Sequence, residues 1–320
     1  MFSGTVSANI GGEPVLSLTV SADWGNAYWS FQAELLDAAS YYNLVVAPGA
    51  PPNVTAHICG HSFSVKVESG RENYRRGTAS YSLTGRSRLC ELAAPYANRI
   101  TKTWPVPPCG PSETVNTGII IGEVSSYRIS LSRAVDLKSY TATDKTPLEI
   151  CADLAGKCGQ QIICDASGQG IGYNIEHTGS VVGIPTSEAI EYGWDTNMQP
   201  SEKTIRVYDQ VSGTHVDVTS NRSSGQSGGQ ARGAQVTCGI GQLADIASEM
   251  GKSHFHNSTR RRDVMTVTFP FIQSGGVGPG LVYPGQMALS DEGFSGKVTS
   301  VSYTANRSGA FQTIKIDGNT

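Results

Sequence analysis

The stretch Trp29-Ser30-Phe31-Gln32-Ala33-Glu34-Leu35 decides how the chain is read. Trp29, Phe31, Ala33 and Leu35 alternate with polar residues. A period of two therefore puts all four on one side of a strand, the side that faces a core. Toward the N-terminus, Thr5 to Ile10 and Val15 to Val20 alternate in the same way across Gly11-Gly12-Glu13-Pro14, which predicts a hairpin or meander. Toward the C-terminus, His57 to Val67 predicts a strand pair around Gly60, and Ala79 to Thr84 a further strand. That strand runs into Gly85-Arg86-Ser87-Arg88 and Leu89-Cys90-Glu91-Leu92, where Ser87 is placed to cap a short helix that Pro95 stops.

Residues 101–118 carry Trp104, Pro105, Pro107, Pro108 and Pro111, a density of proline that predicts a linker. The period then changes. Thr146 as cap and Pro147 at the first position predict a helix to about Lys157, with Leu148, Cys151, Ala152, Leu154 and Ala155 as its apolar stripe. Gln161 to Cys164 reads as a strand and Asp165 to Gly170 as a turn. A second apolar-periodic stretch holds Ile190 and Trp194. Lys203 to Tyr208, with Ile205 and Val207 inward, and His215 to Val218 read as strands. Ser, Gly, Gln and Asn dominate residues 220–233, the composition of a flexible loop. Gly239 to Met250 reads as a helix. Val264 to Phe269, Met287 to Leu289, Gly296 to Tyr303 and Phe311 to Ile316 return to strand, separated by Gly278-Pro279-Gly280 and Pro284-Gly285. The order is β, then α+β, then β, with both ends reading as small barrels or sandwiches. No domain-length repeat is visible in the letters.

Of the 320 residues, 16% are charged and 37 are Gly. Average proteins carry about 25% charge and about 7% Gly, so coiled coils and helical arrays are disfavoured. The net charge of −3 disfavours a general nucleic-acid binder. No run of apolar residues is long enough for a membrane helix. Met1-Phe2-Ser3-Gly4 lacks the basic start and apolar stretch of a signal peptide, which points to a cytoplasmic product.

The search for chemistry yields little. The seven cysteines, Cys59, Cys90, Cys109, Cys151, Cys158, Cys164 and Cys238, are an odd number without a CxxC pair. They are expected to be reduced, metal-free core residues. His57, Cys59 and His61 would share one side of an unbroken strand, where they could hold zinc, but Gly60 interrupts it. His254 and His256 precede Arg260-Arg261-Arg262, the one dense positive cluster. GxSxG, HExxH and Walker A motifs are absent. Ser167-Gly168-Gln169-Gly170-Ile171-Gly172 has alternating glycines in a turn, which is not a dinucleotide fingerprint. No catalytic residue, metal site or cofactor is assigned.

Taken in order, several segments resemble the baseplate hub proteins of long-tailed phages, the hub and late-control tail family. Trp29 and Phe31 stand in a segment similar to the family's early barrel strand. Gly85, Arg86 and Arg88 in Leu83-Thr84-Gly85-Arg86-Ser87-Arg88, with Pro95 and Tyr96 in Leu92-Ala93-Ala94-Pro95-Tyr96-Ala97, resemble its "GRSR … PYA" segment. Ser139-Tyr140 with Thr146-Pro147-Leu148-Glu149-Ile150 resembles the start of its inserted helix. Pro284 and Gly285 in Tyr283-Pro284-Gly285-Gln286, then Gly296-Lys297-Val298-Thr299-Ser300-Val301 and Gln312-Thr313-Ile314, resemble its closing barrel.

The resemblance implies a mainly β fold with an α+β insertion: two tube-type β-barrel domains flanking a smaller α+β domain. The implied boundaries are a first barrel at 1–100, a proline-rich linker and extended segment at 101–138, a middle domain at 139–219, the flexible loop at 220–233 and a second barrel at 234–320. It further implies a structural role without enzymatic activity at the virion tail tip, after assembly in the host bacterial cytoplasm. The protein would form a homotrimeric ring that adapts a sixfold tube to a threefold tip. Its partners would be its own copies, a tail tube or distal tail protein, a tail-tip fibre or spike protein and the tape-measure protein, with phage DNA passing through unbound. The alternatives are a cell-wall hydrolase using unrecognised carboxylates and a carbohydrate-binding protein stacking sugars on Trp24, Trp29, Trp104 or Trp194.

Overall fold

The structure is a computed structural model. It describes residues 7–45, 52–105, 129–130, 139–157, 160–174, 181–198, 204–209, 214–219, 235–238, 261–271 and 278–318. The N-terminal part contains β1 (Ala8–Ile10), β2 (Glu13–Asp23), β3 (Ser30–Leu35), helix α1 (Ala38–Leu44), β4 (Asn53–Ile58), β5 (His61–Arg75) and β6 (Thr78–Ser87). Every pairing among these strands is antiparallel. The path β1-β4-β5-β6-β3-β2 returns to its start because β1 also pairs with β2. Backbone hydrogen bonds therefore close a barrel, and closure removes exposed edges. Its interior takes the alternating residues that the sequence marks. Trp29, Phe31, Ala33 and Leu35 are all buried, beside Leu18, Val20, Ile58, Phe63, Val65 and Leu83. Each large apolar side chain so placed contributes about 1.5–3 kcal/mol.

Cys59 and Gly60 form the turn between β4 and β5, with φ of 47° and 83°. Two positive φ angles match the right-handed strand twist that a tight hairpin requires. This changes the expected grouping of His57, Cys59 and His61. Ile58 pairs directly with His61, so Cys59 is a turn residue and not a member of a common strand face. After β6 the chain makes a single 3-10 turn at Arg88–Leu92. Ser87 does not cap it; the Ser87 Oγ accepts the Trp29 backbone N–H at 3.2 Å instead.

β7 (Ile100–Pro105) pairs with β9 (Ser139–Lys145). The expected linker at 101–138 thus begins as strand, with Trp104 opposite Tyr140 and Pro105 opposite Ser139. Proline is tolerated there because it ends the strand. Next come β8 (Ile129–Ser130), helix α2 (Pro147–Lys157), β10 (Gln160–Cys164) and β11 (Gly170–Asn174). Thr146 and Glu149 cap α2 reciprocally. The Thr146 N–H donates to Glu149 Oε2 at 2.8 Å, and the Glu149 N–H donates to Thr146 Oγ1 at 3.3 Å. Leu148, Ile150, Cys151, Leu154 and Ala155 are buried, whereas Ala152, expected in the stripe, faces outward.

The remaining strands are β12 (Val181–Ile184), β13 (Glu191–Met198), β14 (Thr204–Asp209), β15 (His215–Thr219), β16 (Gln235–Cys238), β17 (Arg261–Pro270), β18 (Met287–Ser290), β19 (Ser295–Asn306) and β20 (Gly309–Gly318). The stretch around Ile190 and Trp194 is a strand. Trp194 pairs with Met265 and Tyr192 with Val267, so the apolar spacing there is two, with Tyr192 between Ile190 and Trp194. The expected 139–219 unit is divided. β12 pairs with β18 and β13 with β17, which joins residues 181–198 to the last segment. β14, β15 and β16 form a separate three-stranded sheet, which takes 235–238 out of the expected second barrel. The expected loop at 220–233 and helix at 239–250 lie outside the described residues.

The two ends of the chain share a strand order: β4-β5-β6-β3-β2 in the first and β18-β19-β20-β17-β13 in the second. The correspondence extends to irregularities. Lys66-Val67-Glu68-Ser69 bulges between Val67 and Ser69, and Lys297-Val298-Thr299-Ser300 bulges between Val298 and Ser300. Lys66 lies opposite Arg86 as Lys297 lies opposite Asp317. Both lysines are buried and sit over aromatic rings, Lys66 over Tyr96 at 4.9 Å and Lys297 over Trp24 at 4.4 Å. The sets differ at one edge. β1 is antiparallel to β4 and closes onto β2, whereas β12 is parallel to β18 and, among the described residues, does not pair with β13. Among the described residues the second set therefore forms an open sheet, where a second closed barrel was expected. β2 then pairs with β19, from Asp23 opposite Ser300 to Ser17 opposite Asn306, and fuses the two sets into one 12-stranded sheet.

Gly85 lies opposite both Phe31 and Val67, and a Cβ there would collide with the Lys66 carbonyl and the Phe31 ring. At Gly183 on β12 a Cβ meets nothing within 4 Å. Gly85→Ala should therefore cost about 3 kcal/mol or more, and Gly183→Ala less than about 1 kcal/mol. Urea denaturation of the two variants checks this; equal midpoints would contradict it.

Candidate functional site

The fused sheet presents one uninterrupted polar face across the β2–β19 joint. Alternate positions carry Ser17, Thr19 and Ser21 on β2, Ser30, Gln32 and Glu34 on β3, Ser302 and Thr304 on β19, Thr313 and Lys315 on β20, and Thr266 and Thr268 on β17. The hydroxyls satisfy one another across the strands: Thr19 with Thr304 at 3.1 Å, Ser21 with Ser30 at 3.0 Å and Thr268 with Thr313 at 3.2 Å. Such cross-strand pairs stabilise register. Glu34 and Lys315 are charges of this set, joined by Asp23 at the exposed end of β2 and by Arg86 opposite Ser30 on β6. Among the described residues, a face made largely of hydroxyls with few and mixed charges offers no continuous cationic track on which a polyanion could release counterions and adhere.

Beside this face, where Arg86 on β6 lies opposite Ser30 on β3, the "GRSR … PYA" residues converge on one node. The Arg86 Nε donates to Glu68 Oε2 at 2.8 Å and the second guanidinium nitrogen to Glu68 Oε1 at 2.5 Å, a forked pair. The same guanidinium reaches the Ala94 carbonyl at 3.3 Å and covers the Tyr28 ring at 4.7 Å. The Glu68 hydrogen bonds push the Arg86 pKa above its ordinary value. Lys66 pairs with Glu91 at 2.8 Å, and Arg88 lies 4.0 Å from the same carboxylate. The Ala94–Pro95 peptide is cis and is followed by Tyr96, whose hydroxyl pKa burial pushes up to about 12. Glu68 is the extra residue of the β5 bulge, so the bulge aims this carboxylate at Arg86.

Trp29 organises the interior. Its ring lies 5.3 Å from Phe63, 5.9 Å from Tyr283 and 6.0 Å from Tyr303, and its Nε1 donates to the Cys164 carbonyl at 2.8 Å. One side chain thereby ties the barrel, the joint strand β19 and the β10 hairpin together. Gly285 has φ of +91° and lies against Trp24 and Ile163, leaving no room for a side chain; Pro284 precedes it in the same loop. Pro147 begins α2, away from the Arg86 node. The structure thus gathers Gly85, Arg86, Arg88, Pro95 and Tyr96 into one cluster. It buries Trp29 and Phe31 in the core, and places Pro147 at the start of α2 and Pro284-Gly285 in a turn. Lys66, Glu68, Lys297 and the hydroxyl pairs were not singled out by sequence. The shared Lys-Val-x-Ser pattern at 66–69 and 297–300 was the available signal.

Conventional chemistry is sparse. Among the described residues, no group of three or more His, Cys, Asp and Glu side chains is placed to hold a metal. Cys59, Cys90, Cys151 and Cys164 are unpaired and buried, and burial pushes the last three up to about 12. Cys109 and Cys158 lie outside the described residues, as do His254, His256 and Arg260; Cys238, Arg261 and Arg262 lie on strands whose side chains are not described there. An open hollow is lined by Thr55, His57, Ser62, Ser64, Asp165 and Tyr283. In it Ser62 Oγ meets His57 Nδ1 at 2.9 Å, while Asp165 Oδ1 accepts from Ser167 Oγ and the Gln169 N–H within its own turn. Trp29 is buried and Trp194 is half exposed on β13.

The geometry defines a β-sheet scaffold whose special features are a fused sheet, a neutral face and exposed strand edges. No protein-family model matches the chain, and no curated protein matches it. Solved structures do. A tail protein from Neisseria meningitidis MC58 matches with a TM-score of 0.66 at 11% identity, over 99% of this chain and 96% of that one. The 43 kDa tail protein of prophage MuSo2 from Shewanella oneidensis matches at 0.65 and 14% identity, over 97% of each chain. The Escherichia coli protein c3393, a component of the type VI secretion system similar in structure to the T4 phage tail proteins gp27 and gp5, matches at 0.58 and 12% identity, over 98% of this chain and 77% of that one. The chain has the fold of phage tail and baseplate-like proteins.

Two outcomes are expected from this geometry. With thiol pKa values of about 12, Cys90, Cys151 and Cys164 expose only about one thiolate in ten thousand at pH 8. Iodoacetamide should leave them unmodified in the native chain and label them after unfolding, as read by mass spectrometry. Glu68→Gln, which leaves a half-buried guanidinium without its counter-charge, should cost about 2 kcal/mol, and Glu34→Gln on the exposed face less than about 0.5 kcal/mol. Urea midpoints at unchanged slope measure both; equal losses would remove the special role of the node.

Proposed function

We propose that this chain is a structural baseplate hub protein of a phage tail. It assembles as a homotrimeric ring at the tail tip, between the sixfold tail tube or distal tail protein above and a threefold fibre or spike below. The observation that carries this reading is the fusion of two equivalent strand sets through β2 and β19 within one chain. Three chains with two sets each present six similar units around an axis, so one ring can meet a sixfold partner and a threefold one. Closed cyclic assembly is the usual outcome for homo-oligomers.

The neutral hydroxyl face is the surface this reading assigns to the lumen. DNA and the tape-measure protein must slide along it, and balanced charge with saturated hydroxyls keeps retention low. The fold likeness to two tail proteins and a type VI component supports the class. The sequence motifs that resemble hub proteins coincide with the Arg86 node and the Trp29 core, both of which hold the sheet in shape. No catalytic step enters this account.

Particle averaging of the purified protein, with mass photometry of the same sample, tests the proposal. The expected result is a threefold ring with an open central channel and a mass of three chains. A closed dimer without a channel, or a monomer at micromolar concentration, would overturn it.

A further inference from the structure

We infer that the hollow between the β4–β5 hairpin and the turn joining β10 to β11 is a binding site for a neutral saccharide. The inference stands apart from the ring reading and needs no second copy of the chain.

One face of the hairpin supplies two cross-strand pairs to the hollow, Thr55 opposite Ser64 and His57 opposite Ser62. Asp165 and Tyr283 come to it from two other parts of the chain. On the fused sheet the hydroxyls satisfy one another, as Thr19 and Thr304 do. In the hollow they are left available. Among the described residues, the hydroxyls of Thr55 and Ser64 meet no protein partner. Ser62 Oγ meets His57 Nδ1 at 2.9 Å, which leaves the imidazole Nε2 open. Asp165 Oδ1 accepts from Ser167 Oγ at 2.7 Å and from the Gln169 N–H at 2.8 Å. The carboxylate is thus held in one orientation, while nothing among the described residues donates to its second oxygen.

Size and lining select the ligand. The volume of about 630 Å³ is far beyond what an ion fills and lies in the range of small-molecule sites. No Lys or Arg side chain lines the hollow, and Asp165 brings a negative charge, so phosphates and acidic sugars are opposed. So many polar groups disfavour a lipid or another apolar ligand, which would desolvate them without return. An extended peptide would need a free strand edge. β4 lies between β1 and β5, and the Ser64 N–H already donates to the Ala166 carbonyl at 2.9 Å. A sugar ring meets every term. Its hydroxyls can donate to the fixed Asp165 oxygen and exchange hydrogen bonds with Thr55, Ser64 and His57 Nε2. Its apolar face can rest on Tyr283, whose ring is seated edge-on against Trp29 at 5.9 Å. The wide mouth leaves room for the ligand to be the end of a longer glycan.

Saturation-transfer NMR on the purified chain tests this, with maltose, cellobiose, lactose and N,N′-diacetylchitobiose as probes. At least one should bind with a dissociation constant of about millimolar order. Asp165→Asn keeps the acceptor for Ser167 and Gln169 but presents an amide to the ligand, and it should weaken binding about tenfold. Ser62→Tyr, at an exposed position of the rim, should fill the hollow and abolish binding. Glu34→Gln, on the polar sheet face, should bind as the unaltered chain does. Circular dichroism reports that each variant folds. The inference is wrong if no probe binds at about 20 mM. It is equally wrong if a probe binds and neither Asp165→Asn nor Ser62→Tyr weakens it, because the sugar then sits elsewhere. Mass photometry of the same samples reads ring formation separately, so either result leaves the hub reading untouched.

Discussion

The antiparallel pairing of β2 with β19 is the interaction on which the rest of the molecule depends. An open sheet ends in unpaired N–H and C=O groups, and these must be paired, covered or exposed to other chains. β2 already gives one edge to β3 and a short stretch of the other to β1. Its remaining edge is satisfied by a strand that follows it by most of the chain length. That long-range pairing aligns the Thr19 and Thr304 hydroxyls on one side and packs Val20 and Tyr303 on the other. The continuous face and the continuous core follow from one ladder. It also makes the topology one of high contact order, for which slow folding is expected.

Two devices keep the ladder in register. The β-bulges after Val67 and Val298 fix where each long strand bends, and a one-residue slip would turn the apolar set outward. The residues at the bulges are anchored by charge and aromatic contacts: Glu68 to Arg86 in the first set, and Lys297 over Trp24 in the second. Trp29 adds an anchor across elements, because its indole N–H ends on the β10 backbone while its ring packs on Tyr303 of β19. The α2 region is therefore attached at the joint and not on a tether.

Local signals were legible in the sequence. The alternation at 29–35 and the Thr146-Pro147 helix start describe what those residues do, since strand period and capping depend on neighbours a few positions away. Pairing across the chain was not legible. Nothing in Ser17 to Asp23 marks β19 as its partner, because a hydroxyl-and-aliphatic alternation fits any antiparallel neighbour. The period of β13 was not legible for a related reason: Ile190 and Trp194 are four apart, a spacing that does not by itself choose between helix and strand, and the pairing of Tyr192 with Val267 settles the period as two. The domain boundaries failed where strands from the middle of the sequence, β12 and β13, complete a sheet begun by the last segment. The likeness of the two strand sets was not legible because strand order, bulge position and turn length can match while the letters differ; Lys-Val-x-Ser at 66–69 and 297–300 is the pattern they share.

The joined strands and the edge strands carry different residues at equivalent positions, and the difference fits where each stands. The internal joint forms while the chain folds, so it can be apolar, and Leu18, Val20, Tyr303 and Ala305 are buried there. β13 and the free part of β5 are exposed strand edges, so their equivalent positions face water. An edge of Leu and Val in that position would recruit any exposed strand and aggregate. Charged residues on an edge prevent indiscriminate pairing. β13 carries Glu191 and Asp195, and the free part of β5 carries Arg71 and Arg75, on positions whose internal counterparts are Ser17, Ser21, Ser302 and Asn306. The same strand position is thus filled by a hydroxyl where the ladder is closed within the chain and by a charge where the edge stands in water.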